Sequence, residues 1–217
     1  MKVNTDGVLL GSWVETGSCT NILEVGCGSG FISLMLAQRC SGKILAIDIH
    51  DGSIADAGFN FNRSPWAPRL EARKMSLQDL GKEPGLTFDL IVSNPPFFSH
   101  SLLSGNEIKD RARHQTSLTY EALAEYSSRL LKYSGVLAVI VPADNFNTLD
   151  RLAQTNGLYL NRRAMVSSFP VSGTIRIMAE WIKGKTSQPV EDQSFSIYSA
   201  PQQRSNEYSE LVAPYLL

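Results

Sequence analysis

Apolar and polar positions along this chain switch between two periods. Short apolar runs of strand length lie at residues 21–25, 43–48, 70–75, 87–93 and 136–141. Helix-spaced segments fall between them at 31–39, at about 53–62 and at 120–132. The last of these places Leu123, Tyr126, Leu130 and Leu131 on one side. Residues 136–141 form a continuous apolar run, the mark of a strand buried on both faces. After Asn145 the pattern changes. One more helix at 146–156 leads to two strand-like runs, 158–166 and 174–182, joined by a turn containing Pro170 and Gly173. The spacing predicts an α/β fold with a mostly parallel sheet, closed by a C-terminal antiparallel hairpin with one reversed strand. Residues 183–192 are polar and read as a loop, followed by a strand near 194–198 and a terminal helix at 207–215.

A length of 217 residues suits one such domain. No apolar run is long enough to span a bilayer and residues 1–6 hold no apolar signal core, so a cytoplasmic protein is expected. Cys19, Cys27 and Cys40 lack metal-ligand spacing and read as reduced structural thiols. A net charge of −1 argues against a broadly basic nucleic-acid binder while leaving room for a local basic patch.

Candidate chemistry starts at Glu24-Val25-Gly26-Cys27-Gly28-Ser29-Gly30, between the first strand and the first crossover helix. Ligands of open α/β sheets bind beyond the carboxyl ends of the strands, and glycines there admit close approach to the backbone. A dinucleotide fingerprint would need glycine at 31, where Phe31 stands. Asp48 ends the second strand, where a carboxylate accepts hydrogen bonds from a ribose. That requirement is shared by NAD and S-adenosylmethionine. A tight strand–helix turn with no ligand is the plain alternative. The E-x-G-x-G-x-G form resembles the first motif of class I S-adenosylmethionine-dependent methyltransferases. The resemblance implies a Rossmann-like fold, with Gly26, Gly28 and Gly30 lining the methionine part of the cofactor. Glu24 would orient the loop or meet the cofactor's amino group through water.

Asn94-Pro95-Pro96-Phe97 ends the fourth strand, which lies beside the first in this topology. An exocyclic adenine amine is a poor nucleophile because its lone pair is delocalised into the ring. Asn94 Oδ1 and the Pro95 carbonyl can accept its two hydrogens, drawing the nitrogen toward tetrahedral geometry. Proline fixes φ, so the carbonyl is already in place. Phe97 offers a ring on which a base stacks, worth about 1–3 kcal/mol. The methyl leaves a positive sulfur, so neither a metal nor a strong base is required. The tetrapeptide resembles the (D/N)-P-P-(F/Y/W) motif of amino-group methyltransferases. The plain alternative is a turn that closes a strand.

The flanks narrow the resemblance. Residues 1–13, the Asn60-Phe61-Asn62-Arg63-Ser64-Pro65-Trp66 block, Arg111-Ala112-Arg113-His114, and the Tyr208-Ser209-Glu210 and Tyr215-Leu216 tail resemble the bacterial tRNA(Val) adenine-N6 methyltransferases over essentially the whole chain. These act on the adenine just 3′ of the anticodon. The resemblance implies one methyltransferase domain over 1–217, with a helical segment at 1–20 and an extension at 183–217. Asn94, Pro95 and Phe97 would hold the adenine. Lys2, Thr5 and Asp6 would lie near the cofactor's methionine end, or Thr5 or Asp6 would simply cap a helix. Many members have an acid near position 76 that meets the cofactor's adenine. Here Ser76 and Leu77 take that place, with Asp79 three residues on. Members usually carry a further segment before the position of Met1, so tRNA capture by this chain is expected to suffer.

Lys109, Arg111, Arg113 and His114, with Pro96, are expected to meet tRNA around a flipped-out adenine. Arg162-Arg163 and Arg73-Lys74 read as exposed strand ends, and His50 and His100 as surface residues. A monomer with no metal and no membrane contact is expected. Competing readings are a glutamine-N5 protein methyltransferase, a DNA or rRNA adenine methyltransferase, and a non-catalytic cofactor-binding module.

Overall fold

The computed structural model describes residues 4–96, 118–184 and 188–215. In chain order it contains α1 (Thr5–Trp13), β1 (Asn21–Val25), α2 (Phe31–Arg39), β2 (Lys43–Asp48), α3 (Asp51–Asn62) and β3 (Leu70–Lys74). Then come α4 (Leu77–Leu80), β4 (Phe88–Ser93), α5 (Tyr120–Leu130), β5 (Leu131–Pro142) and α6 (Ala143–Thr155). The C-terminal part holds β6 (Leu158–Ser167), β7 (Thr174–Lys183), β8 (Glu191–Ser196), β9 (Tyr198–Ala200), β10 (Gln203–Arg204) and α7 (Asn206–Val212).

Among the described residues, eight strands form one sheet in the order β3-β2-β1-β4-β5-β7-β6-β8. β7 alone runs against the rest, because the β6–β7 hairpin inserts its second strand between β5 and β6. The reversed strand is the one expected. β8 lies parallel to β6 and begins earlier than the polar reading of 183–192 suggested. The terminal helix is shorter than expected and passes into a 3-10 turn at Ala213–Tyr215.

Alternation along the strands separates two cores. Leu23, Ile91 and Val139 face α4, α5 and α6, where they meet Leu80, Leu123 and Leu149. Ile22, Leu90, Val92 and Ile140 face the other way, toward Leu9 and Leu10 of α1, Leu36 of α2 and Tyr208 of α7. Strand residues of opposite parity lie on opposite faces, so both faces are apolar and both are covered.

Arg162 is not an exposed strand end. It falls on the buried face of β6 and is 7% exposed. Its guanidinium holds Glu180 through two nitrogens, at 3.1 and 2.8 Å, and donates to the Trp13 carbonyl at 3.1 Å. It also stacks over the Trp13 ring, 4.1 Å from the centroid. A buried arginine is tolerable when its charge and donors are matched in this way. Here it fastens the end of α1 to the β6–β7 hairpin. Arg163, Arg73 and Lys74 do lie near the surface, paired with Asp192, Glu71 and Asp51.

One clamp sets the entry of the central strands. Asp89, near the start of β4, accepts from Thr20 N, Thr20 Oγ1 and Asn21 N at 2.8–2.9 Å. Its other oxygen meets Lys132 Nζ of β5 at 2.6 Å. Partial burial works against its charge, but Lys132 and the hydrogen bonds from Asn21 and Thr20 outweigh that and hold the carboxyl well below its usual range. Asp89→Ala is expected to lower unfolding free energy by about 2 kcal/mol in denaturant titrations at neutral pH. Because the folded-state value is depressed, the stabilisation is present above the ordinary carboxylate range and is lost as pH falls through the folded value. The gap between wild type and Asp89→Asn should therefore close on acidification.

Candidate active site

β1 delivers the chain to Gly26 at the carboxyl edge of the sheet. The Gly26 and Cys27 amides both donate to the Ile47 carbonyl, at 2.9 and 3.0 Å, which ties the turn to the end of β2. Gly26, Gly28 and Gly30 all have positive φ, at 73°, 55° and 73°. This is a backbone conformation that residues with a Cβ avoid. Gly26 and Gly30 do different work. Among the described residues a Cβ at Gly26 would meet nothing within 4 Å, so no described side chain fills this face of the turn. A Cβ at Gly30 would collide with the ring of Phe61, so Gly30 lets α3 pack against the turn. Helix packing is thus by itself a sufficient reason for glycine at position 30.

Two carboxylates underlie the turn. Asp48 accepts from Gly28 N at 3.0 Å through one oxygen and from His50 N at 2.9 Å through the other. Each oxygen keeps lone-pair capacity, and the group is held still at the end of β2. Glu24 is 2% exposed. It accepts from Ser33 N at 2.9 Å and from Ser33 Oγ, joining β1 to the first turn of α2. Its described hydrogen bonds thus go to the helix that follows the glycine turn. Burial drives its carboxyl up to about 7 against the lowering effect of the Ser33 hydrogen bonds. Ser33 was not singled out in the sequence because a serine inside an apolar helix carries no signal of its partner.

Asn4, not Thr5 or Asp6, caps α1, accepting from Gly7 N at 2.7 Å. Asp6 accepts from Arg176 Nε at 2.9 Å. Gly7 faces Ile32 in the first turn of α2, so α1 begins on the same edge as the glycine turn. Ser76 caps α4, accepting from Asp79 N at 3.1 Å and donating to Asp79 Oδ2 at 2.7 Å. Leu77 is 2% exposed in the core, so its side chain offers a ligand little surface. Its amide, in the first turn of a helix, lacks an intrahelical acceptor and is what it can present.

β4 pairs with β1 in parallel, with Val25 opposite Ser93, and Ser93 Oγ donates to the Val25 carbonyl at 2.9 Å. Gly26 and Asn94 thus leave neighbouring strands at the same level. Asn94 is half-buried, Pro95 buried and Pro96 exposed. On the far flank, at the same edge, Asn145 Nδ2 of α6 donates to Tyr120 Oη of α5 at 3.0 Å. This pair was missed because its members are far apart in sequence and neither sits in a motif. Phe97, Lys109, Arg111, Arg113, His114 and Lys2 lie outside the described residues.

A family model for a methyltransferase domain matches residues 22–112. The tRNA1(Val) (adenine(37)-N6)-methyltransferase of Bacteroides fragilis strain YCH46 is 36% identical over 100% of this chain and 91% of its own length. The protein of the same name from Phocaeicola vulgatus is 42% identical over 82% of this chain and 75% of its own. The chain belongs to this adenine-N6 methyltransferase family. It is an S-adenosylmethionine-dependent methyltransferase. Solved structures agree on the fold. A predicted O-methyltransferase of Agrobacterium tumefaciens superposes with TM-score 0.69 over 96% of each chain at 14% identity. A TehB-like methyltransferase of Corynebacterium glutamicum gives 0.55 over 84% of this chain and 89% of its own at 19% identity.

The residues present fit the family's cofactor. The face of Gly26 that no described side chain fills admits a ligand against the backbone, and the Asp48 oxygens retain capacity for ribose hydroxyls. When bound, S-adenosylmethionine supplies an electrophilic methyl on a sulfonium. Glu24 yields a prediction for the protein without cofactor. Its folded-state value lies above the ordinary one, so the folded protein binds more protons than the unfolded chain between roughly pH 4.5 and 7. Stability should fall as pH rises through that window, by up to about 3 kcal/mol. Glu24→Gln keeps an oxygen for Ser33 and should remove that component in melting curves at pH 5 and pH 8. An unchanged pH dependence in the variant would refute this assignment.

Proposed function

We propose that this chain transfers the methyl group of S-adenosylmethionine to N6 of adenine-37, just 3′ of the anticodon, in tRNA(Val). The observation that supports the reading is the pairing of Val25 with Ser93, after which the glycine turn and Asn94 leave adjacent strand ends at one level. Sharing a name-bearing family with the Bacteroides fragilis and Phocaeicola vulgatus proteins supports the choice of substrate.

Asn94 Oδ1 and the Pro95 carbonyl accept the two N6 hydrogens and bias the nitrogen toward a geometry in which its lone pair can attack. Phe97 stacks on the base. Pro96, exposed at the rim, supports the entering nucleotide. Asp48, Gly26 and Gly28 hold the cofactor, with Gly30 and Glu24 shaping the turn beneath it. Thr5, Asp6 and Lys2 border its methionine end, while Ser76 and the Leu77 amide border its adenine. Lys109, Arg111, Arg113 and His114 contact phosphates around the extruded adenine. The base must leave its stack, because Asn94 lies at a strand end that a stacked base cannot reach. As an enzyme acting on tRNA, the protein works in the cytoplasm. No helix among the described residues is long and apolar enough to cross a membrane.

Incubation with labelled S-adenosylmethionine and unmodified bulk tRNA, followed by nucleoside analysis, should place the label in N6-methyladenosine. Label in protein, or in another nucleoside, would overturn the reading. Asn94→Ala should bind the cofactor within about twofold of wild type and lose at least about a hundredfold in turnover, since it removes an orienting acceptor and leaves the turn intact. Loss of cofactor affinity together with activity would show that Asn94 has a different role.

A further inference from the structure

The C-terminal strands do more than extend the sheet. Ser93 of β4 is level with Val139 of β5, yet β5 continues to Pro142, which pairs with Arg176 of β7. Arg176 in turn pairs with Val166 of β6, and Val166 with Phe195 of β8. The edge formed by β6, β7 and β8 therefore stands three residues beyond the level of Ser93, a rise of about 10 Å. β7, β6 and β8 lie two, three and four strands to the side of β4, at lateral distances of about 10–19 Å.

What crowns this raised edge is aromatic and cationic. Phe169 in the β6–β7 turn meets Tyr198 with ring centroids 5.6 Å apart. Arg204 lies over Tyr198 at 4.4 Å and over Tyr208 at 4.8 Å. Among the described residues Arg204 has no carboxylate partner, unlike Arg163 and Arg176 nearby. Val171, at the tip of the turn, is 98% exposed. The patch is held in place by hydrogen bonds from backbone amides and from the Ser205 hydroxyl. Ile197 N and Tyr198 N donate to Ser167 O and Ser168 O at 2.9 and 3.0 Å, and Ser205 Oγ donates to Ser196 O at 2.5 Å while accepting from Tyr208 N at 3.0 Å. An uncompensated guanidinium fixed on tyrosine rings is suited to a phosphate backbone with unstacked bases, through planar stacking and fork-shaped donors.

We propose that Phe169, Val171, Tyr198 and Arg204 form a second RNA-contacting surface. It receives the strand of the anticodon arm a few nucleotides from the extruded adenine, with Arg204 on a phosphate and Tyr198 or Phe169 against a base. This rests on the tRNA reading above and adds the place where the RNA body is held. Such a surface sets affinity for the RNA and leaves the methyl-transfer geometry alone.

The test uses the full chain with tRNA and two variants. Arg204→Glu reverses the charge. Val171→Glu adds a negative charge at a position whose side chain contacts solvent and so leaves folding untouched. Both should raise the tRNA dissociation constant and KM about tenfold, with kcat at saturating tRNA and the cofactor-induced rise in melting temperature unchanged. For Arg204→Gln, the slope of log affinity against log salt should become shallower by about 0.7–0.9, the loss of one phosphate contact. If wild type methylates tRNA and both glutamate variants bind it as tightly as wild type, the surface is not an RNA contact, while the assigned activity stands. If wild type methylates no tRNA at all, the activity assignment fails and this inference fails with it.

Discussion

The parallel pairing of β1 with β4 is the constraint on which the site depends. Strands are stiff and their rise per residue is fixed, so once Val25 lies opposite Ser93 the positions of the glycine turn and Asn94 follow by counting. The pairing is pinned at both ends. Ser93 Oγ holds the Val25 carbonyl at the carboxyl edge, and Asp89 gathers Thr20, Asn21 and Lys132 at the other. A slip of one residue would move every side chain to the opposite face of the sheet. With apolar residues on both faces, burial alone would tolerate that slip better than it would in a half-exposed sheet. The polar clamps at the two ends therefore carry the specificity of register.

A second feature follows from where the carboxylates sit. Glu24 and Asp48 lie beneath the same turn, and Asp48 adds to the rise in Glu24's value that burial begins. Burial pushes the Cys27 thiol up as well, aided by both acids. Poor solvation beneath the turn therefore holds Glu24 and Cys27 toward their neutral forms. A cationic sulfonium or ammonium beside Glu24 favours its charged form, and an anion opposes it. The rigid backbone bonds from Gly26 and Cys27 to Ile47 keep this arrangement standing before any ligand arrives, which lowers the ordering cost of binding.

Much of the fold was legible because parallel strands and crossover helices announce themselves through period, and because glycine and proline punctuate them. The glycine turn, Asp48 and the Asn94 tetrapeptide were legible for the same local reason. Contacts between distant segments were not. Arg162 looked like half of a surface dipeptide, yet alternation along β6 turns it inward, and its partners Trp13 and Glu180 come from two other elements. Ser33 shows no sign in sequence that it meets Glu24, nor Asn145 that it meets Tyr120. The one-turn helix α4 is too short to show a period. The third glycine of the motif was recognised, but its packing against Phe61 depends on how α3 crosses the turn.

The order of the last strands explains how one sheet can serve two tasks. Had β6, after its crossover helix α6, paired directly with β5, the sheet would have grown with its carboxyl edge at one level. The hairpin instead inserts β7 beside β5, and the pairing runs on through Pro142, Arg176, Val166 and Phe195. That continuation lifts the outer strands past the crevice and exposes their turns on its flank. Arg162 makes the lift compatible with the rest of the fold, since it bonds β6 to Glu180 of β7 and to the end of α1, while Asp6 at the other end of α1 meets Arg176. The helix that begins beside the glycine turn is thereby fixed to the β6–β7 hairpin at both of its ends, and the turn and the hairpin hold their spacing as one body.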